Sequence, residues 1–186
     1  MLSIKSVNVR SKGVNRRLLM SSGTLAIFES FLKEHIGQEL LIVNTNFGME
    51  IYYYSKKDYS KLIQETLLKH TTGKFDVSRL IFRYNLTRQQ VYESFCAALL
   101  TFAQYPQLFL AYAKKFMYLR DKNITSRYII PILSGFFEEV LTSLEDKGTM
   151  PHYEKIVKAK NKPQKTKLDH TIKELISEIL LKKHLN

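Results

Sequence analysis

The chain has 186 residues, a formal net charge of +12, 45% apolar residues, and 11 each of Phe and Tyr. That apolar content excludes wholesale disorder, and the length fits one domain with a tail or two small domains. A single cysteine, Cys96, excludes an internal disulfide framework and a cysteine-based zinc site. No apolar run approaches the ~20 residues of a membrane span, and none suits a signal peptide, so a cytoplasmic protein with no membrane partner is expected.

Residues 1–22 carry Lys5, Arg10, Lys12, Arg16 and Arg17 with no acidic residue and read as a basic N-terminal arm, with a short strand at Ser3–Val9. Apolar residues Leu25, Phe28, Phe31, Leu32 and Ile36 keep helical spacing from Thr24 until Gly37 stops the run. Two β-rich runs then flank Asn44-Thr45-Asn46-Phe47-Gly48, which predicts a hairpin over 39–54. On its second strand Tyr52 and Tyr54 share a face, suited either to stacking unpaired bases or to burial with the phenol oxygens at a rim.

A helix is expected over 58–70, and a closely spaced pair over 76–103. Tyr105-Pro106 breaks the chain before a helix over 107–122. Another helix begins near Ile130, where Pro131 is tolerated in a first turn. Residues 148–167 shift to Lys, Asn, Pro and Gln and read as a basic linker, and 168–186 as a C-terminal amphipathic helix. The expected fold is mainly α: a multi-helix bundle with one β-hairpin near the N-terminal third, its body over 23–147.

The pair at 76–103 carries the strongest local signals. Asp76 is a candidate N-cap, and Val77, Leu80, Ile81 and Tyr84 make one apolar face. Asn85 suits a left-handed turn position, and Thr87 with Gln90 forms a Thr-x-x-Gln capping box. Val91, Phe95, Ala98, Leu99 and Phe102 continue an inner face. Asn85-Leu86-Thr87 followed by Val91 resembles the turn and second helix of helix-turn-helix DNA-binding proteins, over about 20 residues. Ile81 stands where that family usually has alanine, and Ser94 where it has an aliphatic residue.

The resemblance implies a second helix lying in the major groove. Arg88, Gln89 and Gln90 would then read bases, with Tyr92 and Glu93 beside them. Thr87, Arg79 and Arg83 would hold phosphates. Arg16, Arg17, Lys158, Lys160 and Lys162 in the basic arms would add sequence-independent attraction. The alternative reading of the same residues is a core helix pair that binds nothing.

None of the five histidines lies three or four residues from another. No catalytic residue, metal or cofactor is therefore expected. The expected function is that of a non-enzymatic DNA-binding protein, a transcriptional regulator. The alternative is an assembly subunit that contacts RNA or an acidic protein partner. A homodimer or protein contact through 168–185 is expected in either case.

Overall fold

A computed structural model describes residues 2–12, 18–71 and 77–161. Among them the chain runs β1 (Ser3–Ser11), α1 (Ser22–Ile36), β2 (Leu40–Thr45), β3 (Gly48–Ser55), α2 (Ser60–Thr71), and a 3₁₀ turn (Val77–Arg79). It continues through β4 (Leu80–Asn85), α3 (Arg88–Ala103), α4 (Pro106–Lys122), α5 (Ile129–Asp146) and α6 (Tyr153–Lys160). The strands form one antiparallel sheet in the order β2-β3-β1-β4. Through β4 this is the β-α-β-β-α-β arrangement of ferredoxin-like folds, with four further helices appended.

Both faces of the sheet are covered. Val7, Val9, Ile42, Met49, Ile51 and Tyr53 pack against Phe28 and Leu32 of α1 and Ile63 and Leu67 of α2. Ile4, Leu41, Val43 and Tyr52 face the other way, into a core built by α3, α4, α5 and Ile156 of α6. The result is a mixed α/β sandwich, which corrects the expectation of a mainly α bundle with a single hairpin.

The supposed N-terminal arm contributes a central strand, with Val7 and Val9 fully buried. The strand expected at Ser3–Val9 is present as β1, but its polar residues hid its central place in the sheet. Lys5 is buried along its stem and donates its ammonium to the Ser55 carbonyl, while Ser6 accepts from Asn85 at 2.9 Å.

The first helix of the expected pair is absent: after the 3₁₀ turn, Leu80–Asn85 is an edge strand. Its apolar residues fit either period. As a strand, Leu80 and Phe82 reach the α1/α2 layer and the six residues from Leu80 to Asn85 pair with Ser11 to Ser6. A two-turn helix would have left that side of β1 unpaired. Asn85 accordingly sits at the end of the strand, buried and without a positive φ. Within the expected linker over 148–167, Tyr153–Lys160 form α6, docked through Ile156, and 162–167 lie outside the described residues. The helix expected over 168–186 lies outside the described residues.

Two devices fix the layers. Gly48 has φ 143°, and a Cβ there would meet the Val9 carbonyl oxygen at 2.3 Å, so glycine lets the β2–β3 hairpin close onto β1. At the start of β2, Glu39 reaches across to the first turn of α5. Its carboxylate accepts from Ser126 Oγ (2.8 Å) and from the N–H groups of Arg127 (2.7 Å), Ile129 (3.1 Å) and Tyr128 (3.2 Å). Burial alone would raise this carboxyl, but those donors outweigh it and hold it below its ordinary value. Tyr54 stacks on Tyr128 beside this clamp, with centroids 4.4 Å apart.

Candidate nucleic-acid interface

The helix that follows β4 starts as the sequence predicts. Thr87 accepts from the Gln90 N–H at 3.2 Å, and Gln90 Oε1 accepts from the N–H groups of Leu86 (2.9 Å) and Thr87 (3.2 Å). That reciprocal cap engages the Gln90 amide oxygen, one of the two side-chain atoms that reading an adenine would use. Tyr92 is half-buried, edge-on to Phe136, and its phenol is raised chiefly by the Glu139 carboxylate. Arg88 and Gln89 stay exposed. The Arg88 guanidinium lies 5.5 Å from the centre of the Phe136 ring, and Gln89 donates to Glu93 at 2.9 Å.

The expected phosphate contacts are dispersed. Arg79 and Arg83 stand on the 3₁₀ turn and β4 rather than on a helix. Lys158 is exposed on α6, whereas Lys160 on the same helix pairs with Glu138. Arg16, Arg17 and Lys162 lie outside the described residues.

The tertiary structure assembles a different constellation. Across three strands Glu50, Asn8 and Arg83 are direct neighbours in register, and Arg10 follows Asn8 on the same face, opposite Ile81. Helix α3 lies over this row but presents only Ser94, Ala97, Ala98 and Thr101 toward it. A cleft of about 390 Å³ therefore opens between α3 and the β1–β4 edge. Asn8 Nδ2 donates to Ser94 Oγ at 3.0 Å, and the buried Asn8 Oδ1 has no partner. Reversing the amide would only exchange which of its polar atoms is orphaned.

Arg10 and Arg83 are both exposed, and neither makes a hydrogen bond or ion pair among the described residues. Among the described residues no carboxylate lines the cleft. Two exposed cations on one wall, with no carboxylate among the described residues lining the cleft, make a site that attracts anions.

Behind Asn8 lies an acid that sequence reasoning missed. Glu50 Oε2 accepts from Tyr112 Oη at 2.6 Å and from Tyr52 Oη at 3.0 Å. Burial pushes the carboxyl above its ordinary value, against the pull of both hydroxyls and of Arg10. The same burial, with the Glu50 charge, lifts both phenols well above theirs. Arg10, Asn8 and Glu50 also border a cavity of about 10 Å³, room for roughly one water. The available signal was Glu50 two residues before Tyr52 on one strand face. Tyr52 turns out to be buried there rather than poised to stack on bases.

Comparison with protein-family models, curated proteins and solved structures returns no match.

Among the described residues no group of three or more His, Cys, Asp or Glu could hold a metal ion. No helix of those residues is long and apolar enough to cross a membrane.

Proposed function

We propose that the protein binds single-stranded nucleic acid without a cofactor, through the cleft between α3 and the β1–β4 edge. The observation that carries this reading is the pair of exposed arginines, Arg10 and Arg83, on one wall of a cleft that no carboxylate lines among the described residues. Lys12 and Arg79 extend the basic strip: the Lys12 N–H donates to the Arg79 carbonyl at 2.7 Å, which keeps the two residues adjacent. Phosphates bind such a strip without regard to base sequence. The cleft's size and its placement beside the helix suit one strand. Duplex reading would instead require the outward face of α3 to enter a groove, and that face carries Glu93 and the exposed Leu100. A cytoplasmic setting is part of the proposal, supported by Cys96 as a lone free thiol.

A second reading, duplex DNA read from the α3 N-terminus, is favoured by the exposure of Arg88 and Gln89. One titration separates the two. Labelled single-stranded DNA, single-stranded RNA and duplex DNA are compared at several salt concentrations. The proposal expects the single strands to bind more tightly, with log affinity falling by about 0.7 per log unit of salt for each phosphate contact. Preference for duplex would favour the second reading, and salt-independent or absent binding would remove both.

A further inference from the structure

Four groups in or behind the cleft remain unexplained by phosphate binding alone: the Glu50 carboxyl, the Tyr52 and Tyr112 hydroxyls that donate to it, and the Asn8 amide with its orphaned oxygen. We propose that Glu50 is a proton-linked control of the arginine cleft, so that a phosphodiester held by Arg10 and Arg83 binds most tightly when Glu50 carries a proton. The inference rests on the cleft being the anion site.

The geometry supports it in three ways. Both tyrosine hydroxyls donate to Oε2, leaving Oε1 without a hydrogen bond among the described residues, so a proton fits on Oε1 with both tyrosine bonds kept. Asn8 stands directly across the strand pair from Glu50, and cross-strand neighbours have Cβ atoms about 5 Å apart. Glu50 and Asn8, whose Oδ1 is unpartnered, border one small cavity, so a proton on Oε1 puts a donor in the neighbourhood of that acceptor. Finally, Arg10 borders both the small cavity and the cleft. An ionised Glu50 competes with a bound phosphate for that cation, and a neutral one leaves it to the ligand.

The charged or titratable groups facing Glu50 are Arg10 from β1, Tyr52 from β3 and Tyr112 from α4. The other residues around it, Asn8, Thr45, Phe47, Met49 and Phe102, do not titrate. Arginine stays charged, and both phenols lie above their ordinary range. Glu50 is therefore the member of this cluster whose charge responds to pH below the phenol range. Its burial supports a titration displaced toward neutrality.

The test titrates the full chain with an oligo-uridylate, whose bases and diesters do not titrate in this range, from about pH 5 to pH 8 at constant ionic strength. One unit charge at cleft distance, in an effective dielectric of about 20, should change affinity by roughly tenfold. The wild type is expected to lose about that much affinity as pH rises, and Glu50→Gln, which keeps an acceptor for both tyrosines, to retain the tight form throughout. Should Glu50→Gln misfold, calorimetry of the wild type in buffers of different ionisation enthalpy reads proton uptake on binding directly. Binding without pH dependence, an unchanged pH profile in Glu50→Gln, or no proton uptake overturns the proton link and leaves the cleft reading standing. Absence of binding at every pH overturns both.

Discussion

Replacing Arg10 and Arg83 together by glutamine is the sharpest perturbation of the proposed interface. The register sets Arg83 against Asn8 and Arg10 against Ile81, so the arginines are diagonal neighbours on one sheet face, with backbone positions roughly 7–8 Å apart. From there both forks can reach one phosphate or two successive ones. Neither side chain has a hydrogen bond or ion pair to release among the described residues, so each contact contributes apart from solvent screening and, for Arg10, the pull of an ionised Glu50. A charge-assisted hydrogen bond contributes about 1.5–3 kcal/mol, reduced to about 1 kcal/mol at an exposed site.

The double variant should therefore lose roughly 2 kcal/mol of binding, about thirtyfold in affinity. Its salt slope should fall by about 1.4, from two contacts at ~0.7 each. The fold should be indifferent, because exposed substitutions without partners change stability by about 0.5 kcal/mol or less. Fluorescence anisotropy at several salt concentrations, paired with thermal unfolding, measures both quantities. An affinity within about twofold of wild type and an unchanged salt slope would refute the assignment. A loss appearing instead in Arg88→Gln and Gln89→Ala would move the interface to the end of α3.

Other outcomes test the scaffold around the site. Deleting residues 2–11 removes the strand between β3 and β4 and should abolish folding, seen by circular dichroism, whereas a dispensable arm would leave the spectrum intact. Glu39→Ala strips the four donors at the α5 N-terminus of their acceptor and should cost about 1–2 kcal/mol, a melting shift of roughly 2–4 °C per kcal/mol. Because the Glu39 carboxyl is depressed in the folded state, its stabilisation is complete above its ordinary value and fades as pH falls through the depressed one. The difference between wild type and variant should therefore shrink in acid.

Glu50 has the opposite sign. Its raised carboxyl makes wild-type stability fall as pH climbs from the ordinary glutamate value through the raised one, and Glu50→Gln should flatten that slope. Glu50→Leu would orphan the Tyr52 and Tyr112 hydroxyls at a cost of about 1–3 kcal/mol each in chemical denaturation, and equal stability of the Leu and Gln variants would show those bonds to be immaterial.

The sequence alone determined what depends on neighbours a few residues apart. The Thr87–Gln90 cap, the stop at Gly37, the hairpin around Asn46-Phe47-Gly48 and the break at Tyr105-Pro106 are local chemistry, and each lies where its residues predict. Only the tertiary structure decided the remainder. Leu80–Asn85 satisfies a helical and a strand period alike, and the open hydrogen-bonding side of β1, some seventy residues earlier, settles the choice. Asn8, Glu50 and Arg83 form one row only because β1 pairs with both β3 and β4. Strand register between distant segments leaves no mark in local spacing, so the cleft, its cations and its acid became visible only once the sheet was assembled.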